Sequence, residues 1–186
     1  MSKGAFDGVP HPFLPRDLRR RDQLAILLLD LRHMNADWDS SPRSVLLSSL
    51  PRVVVHGRYR GLVWYRISQL LPQTAASWCA SRCLRACGAE ISPRARLGAG
   101  LELKHSTGIV VGAEVTAGSG LTLYQGVTLG HGKGETGMPS LGSRVTVYAG
   151  ATVLGPVVVG DGATIGAGAV VLADVPAGST VTGTWK

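Results

Sequence analysis

The sequence predicts a mainly β chain with a helical front end: a parallel β-helix preceded by a helical region. Three observations carry this. Branched aliphatic residues recur at every sixth position from Ile91 to Val127, and again from Leu141 to Val171. Glycine is abundant, at 25 of 186 residues, while aromatic residues make up only 5%, a pairing that suits a repetitive, tightly turned backbone rather than an aromatic-rich sandwich. Before Gly88 the texture differs, and runs such as "RDQLAILLLDLRHM" show an apolar face with charged ends.

Residues 1–88 are taken as an N-terminal arm and helical region. Pro10, Pro12 and Pro15 mark the arm. The helical pattern runs from Asp17 to about Cys87. Its second region, "PRSVLLSSLPRVVVHGRYRGLVWYRISQLL", should be broken by Pro51 and by Gly57 or Gly61. Its third, "TAASWCASRCLRACG", should stop at Gly88. Cys79, Cys83 and Cys87 are spaced by four and share one side of that helix. A zinc site asks for a fourth ligand and usually a turn between ligand pairs, so they read as small packing residues and no metal is expected.

Residues 89–186 are taken as the β-helix, with a loop at 130–140. Stepping by six from Ile91 gives Leu97, Leu103, Ile109, Val115, Leu121 and Val127. After one longer step come Leu141, Val147, Val153, Val159, Ile165 and Val171. Small residues such as Ala89, Ala95, Ala151, Ala163 and Ala169 stand two positions earlier, and glycine follows at Gly98, Gly142, Gly160 and Gly166. Neither a helix nor simple alternation has period six. A short strand, a tight turn and another short strand does, and stacked coils then pair their backbones above and below. The longer step fits two repeats plus two extra residues. It holds "LGHGKGETGMPS", a flexible excursion from a rigid prism, where function concentrates.

These motifs resemble the serine acetyltransferase branch of the hexapeptide-repeat acyltransferases. The resemblance rests on "KHSTGIVVGAEV", "LYQGVTLG" and "VVVGDGATIGAGAVVLADVPAGSTV", with "YRISQLL" matching the helices, and covers about residues 40–182. It implies a left-handed β-helix, a homotrimer of prisms side by side, and in some members a dimer of trimers. It also implies acetyl-CoA as donor and a site in the cleft between neighbouring prisms. The net charge of +7 suits a polyphosphorylated ligand of that kind, or simply a solvated basic face. No basic stripe interleaved with aromatics points to nucleic acid. The start of the chain lacks an apolar signal core, and "LAILLLDL" is too short to span a bilayer, so a cytoplasmic protein without a membrane span is expected.

His105 falls two positions after the inward Leu103, on a wall or corner from which its ring can reach a cleft. Acetyl transfer to an alcohol needs a base of about neutral pKa, and imidazole supplies it. The resemblance makes His105 that base. It makes Glu90, which opens the phrase "EISP", the carboxylate that orients it. The fifteen residues between them are close to one coil. Backbone N–H groups around Gly130 are candidates for the oxyanion. Ala149 and Ala167 match positions that bind CoA, or are ordinary corner residues, and Lys186 is a candidate basic contact to the donor.

The sequence departs from the family at the acceptor. Serine-specific members carry an acidic residue just before the catalytic histidine to receive the ammonium, and here that residue is Lys104. They carry an Arg-His pair late in the loop, where this chain has Gly137 and Met138. Lys104, His131 and Lys133 are the candidate substitutes, and Asp37 and Asp39 are weak counterparts of a further aspartate. The first expectation is an O-acetyltransferase acting on serine or a serine-like hydroxyl. The alternative is an O- or N-acetyltransferase acting on a sugar or natural-product intermediate. A non-catalytic assembly platform is the competing class. The chain ends in Trp185-Lys186 rather than isoleucine, so no complex with the next enzyme of cysteine synthesis is expected.

Overall fold

The computed structural model describes residues 20–35, 40–134 and 136–186. The expected arm, Asp37 and Asp39 lie outside the described residues. Among the described residues four helices come first: α1 (Arg20–Asn35), α2 (Pro42–Val55), α3 (Gly57–Ser68) and α4 (Gln73–Cys87). The Ser41 hydroxyl accepts the Ser44 amide at 3.3 Å and caps α2. Pro42 follows in the first turn, where a missing N–H costs nothing. Contrary to expectation, Pro51 does not break the helix but sits inside it. The break comes at His56, whose backbone is extended (φ −103°, ψ 120°). Gly61 lies within α3 for a packing reason, since a Cβ there would collide with the Cys87 sulfur. Helix α4 ends where glycine allows it: Gly88 takes φ +71°, and its amide donates to the Leu84 carbonyl at 2.8 Å. The three cysteines are free thiols buried in the helical layer, and Cys83 donates to the Gly61 carbonyl of α3.

Fifteen short strands then wind through three parallel sheets. The first coil holds β1 (Glu90–Ile91), β2 (Arg96–Leu97) and β3 (Glu102–Leu103). The second holds β4 (Val110–Val111), β5 (Thr116–Ala117) and β6 (Thr122–Leu123). The third holds β7 (Thr128–Gly130), β8 (Ser140–Leu141) and β9 (Thr146–Val147), and the fourth β10 (Thr152–Leu154), β11 (Val158–Val159) and β12 (Thr164–Ile165). The last strands are β13 (Val170–Val171), β14 (Thr180–Val181) and β15 (Thr184–Trp185). Aliphatic side chains from all three sheets fill the interior, among them Leu97, Leu103, Leu123, Val147 and Ile165, each fully buried. Coils approach so closely that a Cβ on Gly98 would fall 2.6 Å from the Gly118 backbone.

The ladder corrects the repeat count. Ile91 pairs with Val111, so the first coil advances by 20 residues, whereas Val111 pairs with Leu129, an advance of 18. Leu129 pairs with Val153, an advance of 24. The two extra residues therefore lie between Leu103 and Val111, at the corner that carries His105, and the loop after β7 adds one whole repeat. Strand centres expected at Ile109, Val115, Leu121 and Val127 are instead Val111, Ala117, Leu123 and Leu129. The slip is silent in the sequence because both sets face inward: Ile109 is 0% exposed and Val111 2%.

Helices and coil are joined by a buried ion pair. Arg66 of α3 donates from Nε to Asp30 of α1 at 2.6 Å and from Nη2 to the same carboxylate at 3.3 Å. Its remaining N–H groups reach the carbonyls of Leu97 and Gly98, both at 2.7 Å, and Gln69 at 3.4 Å. Asp30 in turn accepts the amides of Gly100 (2.7 Å) and Leu101 (2.9 Å). Beside it Tyr65 donates to the Ala95 carbonyl at 3.0 Å, and burial pushes its phenol up to about 12. Removing one partner strands the other charge. Asp30→Ala is therefore expected to cost about 3–5 kcal/mol, read as a lower urea midpoint at unchanged slope. Leu24→Ala, at an exposed position of the same helix, should stay within about 0.5 kcal/mol. An Asp30→Ala loss no larger than that of Leu24→Ala would mean that apolar packing alone holds the junction.

Candidate functional site

His105 stands on the corner between β3 and β4, where the two extra residues let the chain bulge from the prism. This corner is fixed from behind. Ser106 Oγ donates to the Cys87 carbonyl at 2.9 Å, and the Gly108 amide to the Gly88 carbonyl at 2.8 Å. The end of α4 is thus tied beneath the histidine. Arg60 ties the end of α2 to the same place, donating to the carbonyls of Val54 (2.5 Å) and Ala86 (3.3 Å). Between these three segments lies a cavity of about 620 Å³, lined by residues 55–58, 85–88 and 104–107.

Its lining is basic. Arg58, Arg85 and Lys104 contribute cations and His56 and His105 contribute imidazoles, and no Asp or Glu does. Lys104 is neutralised from the side: its Nζ lies 2.5 Å from Glu102, whose other oxygen lies 3.5 Å from His33 Nε2. Burial pushes the Glu102 carboxyl up, but His33 and Lys104 outweigh it and hold the group below the ordinary carboxylate range. Cys87 also lines the cavity. Its sulfur is turned to Gly61 and to the Cys83 carbonyl at 3.1 Å, and hydrogen bonding from Cys83 draws its thiol down to about 7.

The other sequence-derived candidates are spread over the prism. Above His105 on its own edge, the amides of Gly126, Gly150 and Gly168 donate to the carbonyls of Thr107, Gln125 and Ala149 at 3.0, 2.8 and 2.8 Å. Ala149 and Ala167 therefore stand on the same edge as His105, coils further along. Tyr124 and Tyr148 stack beside this edge with ring centroids 4.8 Å apart. Glu90 is exposed on β1, opposite Val110, and no hydrogen bond or ion pair joins it to His105. Gly130, His131 and Lys133 leave from β7 towards β8, a different corner of the prism. The loop returns through Met138, whose sulfur accepts the Glu114 amide at 3.3 Å and fills the space a Cβ on Gly112 would need. Lys186 follows β15 at the far end of the coil, where Trp185 Nε1 donates to the Asp174 carbonyl at 3.0 Å. Sequence reasoning missed His56, Arg58 and Arg85. The signal for His56 and Arg58 was "HGRYRG" at the seam of two helices, where charge is ordinarily read as a solvated face, and Arg85 stands apart in the last turn of α4.

Among the described residues no group of three or more His, Cys, Asp or Glu could hold a metal ion, and no described helix is long and apolar enough to cross a membrane. The family model for the bacterial transferase hexapeptide (six repeats) matches residues 138–173. A serine acetyltransferase of Helicobacter pylori (strain ATCC 700392 / 26695) is 50% identical over 100 residues, covering 52% of this chain and 58% of that protein. The chain spans about half the length of the curated relatives it matches. The structure of soybean serine acetyltransferase complexed with serine superimposes with a TM-score of 0.73 at 32% identity, covering 87% of this chain and 68% of that one. Serine acetyltransferase from Brucella abortus strain S19, in complex with coenzyme A, does so with 0.71 at 28%, covering 88% and 64%.

The Glu102 pair predicts a pH signature. A carboxylate whose folded pKa is depressed stabilises the fold above its unfolded pKa, and that stability is lost as pH falls through the folded value. Lys104→Met should therefore cost up to about 1 kcal/mol at neutral pH. Urea unfolding should show the gap to wild type closing below about pH 4, the ordinary range for a glutamate. A gap that persists in acid would assign the loss to packing of the lysine stem instead.

Proposed function

This chain belongs to the serine acetyltransferase family, and on that premise we propose that it transfers an acetyl group from acetyl-CoA to the hydroxyl of serine or a serine-like acceptor. The observation that carries the proposal is the placement of His105: at the mouth of a cavity on one side, and on an edge of small residues on the other. The acceptor enters by the cavity. The thioester arrives along the edge past Ala149 and Ala167, where alanine leaves the wall flat enough for a pantetheine arm.

The steps balance without a covalent enzyme intermediate. His105 takes the hydroxyl proton as the acceptor oxygen attacks the thioester carbonyl. The tetrahedral adduct collapses, the carbon–sulfur bond breaks, and the imidazolium returns its proton to the departing thiolate. Glu90, on the strand one coil below Val110, is the carboxylate we assign to the imidazolium. Catalytic hydrogen bonds are often long before substrate binds. N–H groups near Gly130, with His131, Lys133 and Lys186, remain the proposed contacts to adduct, acceptor and donor. Because the loop leaves from another corner than His105, it serves such a site from a neighbouring prism, which favours a homotrimer. The exposed apolar face of α2, with Leu47 at 67% and Val54 at 72%, suits pairing of trimers. With serine as acceptor the product would serve cysteine biosynthesis, and we place the protein in the cytoplasm.

A second reading keeps the donor chemistry and changes the acceptor to a sugar or natural-product hydroxyl or amine. Lys104, where an acid would receive an ammonium, favours it. The test is CoA-thiol release from acetyl-CoA by purified protein with L-serine, amino alcohols and nucleotide sugars. His105→Ala should reduce release about 10²–10⁴-fold with whichever acceptor works, and Glu90→Gln should lower kcat while leaving the KM for acetyl-CoA unchanged. A His105→Ala rate equal to wild type would remove the proposed base.

A further inference from the structure

The cavity beside His105 bears on the charge of the acceptor. Of its cations, Lys104 is already paired with Glu102. Arg58 and Arg85 are not: among the described residues neither has a carboxylate partner, and the Arg58 guanidinium lies only against the Tyr59 ring, 5.3 Å from its centroid. Arg58 also stands in the first turn of α3, which holds no acidic residue and where a cation is locally unfavourable. A concave surface with two uncompensated guanidinium groups attracts anions and repels ammonium groups. A guanidinium fork also matches carboxylate or phosphate with paired hydrogen bonds. At about 620 Å³ the cavity is of small-molecule size.

We infer that the acceptor is a hydroxyl compound of net negative charge, a hydroxy acid or phosphate ester, whose anionic group is held by Arg58 and Arg85 beside His105. This rests on the acetyl-transfer reading above and, within it, selects an anionic serine-like acceptor lacking the ammonium over serine itself. The phosphates of CoA are the other source of such an anion. They are disfavoured by position, because the edge of Ala149 and Ala167 climbs the coils away from the helix ends that wall the cavity. The inference also accounts for Lys104, which presents no acid to an acceptor ammonium.

Calorimetric titration with compounds matched in size and differing in charge tests this: D-glycerate against L-serine and serinol, and glycerol 3-phosphate against glycerol. The anions should bind at least about tenfold more tightly than their partners, and weaken with added salt. Arg58→Gln and Arg85→Gln should each weaken anion binding about tenfold and leave the affinity for acetyl-CoA unchanged, with an unaltered melting temperature showing intact folds. Arg58→Lys, which keeps charge but loses the fork, should fall between. Serinol or serine binding as tightly as glycerate, or no binding by any of the anions, overturns the inference. So does an arginine variant that loses acetyl-CoA instead. Thiol release in the same samples judges the enzyme reading separately. Anion binding without release to any acceptor would sink acetyl transfer and keep the anion site. Release with serine that both arginine variants retain in full would do the reverse.

Discussion

Arg66 and Asp30 set the relation between the two halves of the chain. A guanidinium has five N–H donors, and here each meets an acceptor: two contacts to Asp30, and one each to Gln69, Leu97 and Gly98. Burying these charges carries a desolvation penalty of several kcal/mol per ion. The compensating partners come from three places, α1, α3 and the first coil, so they exist only when all three are docked in one arrangement. Apolar packing would tolerate many dockings of a helix layer on the end of a prism. The ion pair tolerates one, because the acceptors on the coil are backbone carbonyls at fixed positions. That specificity places the end of α4 under the His105 corner and the seam of α2 and α3 beside it.

The corner itself is the second determinant. A parallel β-helix is monotonous by construction, since each coil repeats the turn below it. Two extra residues after Leu103 break that monotony once in the first coil and carry His105 out of the wall. The loop after β7 breaks it again, at another corner and by a whole repeat, so the strands above return to register. The edge above His105 stays regular, with glycine in the left-handed region at Gly126, Gly150 and Gly168, preceded by Gln125, Ala149 and Ala167. A smooth edge beside an irregular corner places an extended cofactor track next to a reactive side chain, and the helix ends close the opposite side as a basic cavity.

The fold was largely legible, because period six is a property of the coil's own geometry. The stop at Gly88 was legible too, since φ +71° there asks for glycine. The two-residue slip was not. Ile109 and Val111 are both buried aliphatics, so a pattern search steps onto either row without penalty. Pro51 misled in the other direction, as the sharp turn fell to His56. His105 was found through its motif, but Arg58 and Arg85 were not, because they come from helix ends distant in sequence that meet only after the first coil docks. Asp30 left a usable trace, a lone acid within "LAILLLDL", but its partner lies 36 residues on and nothing local connects them.

The assignment of one edge to the donor and the cavity to the acceptor is tested most directly by a crystal structure of the chain with CoA bound. CoA is expected along the His105 edge, its pantetheine passing Ala149 and Ala167 and its sulfur beside the imidazole. CoA lodged with its phosphates on Arg58 and Arg85, or at a corner away from His105, would contradict both halves of the assignment.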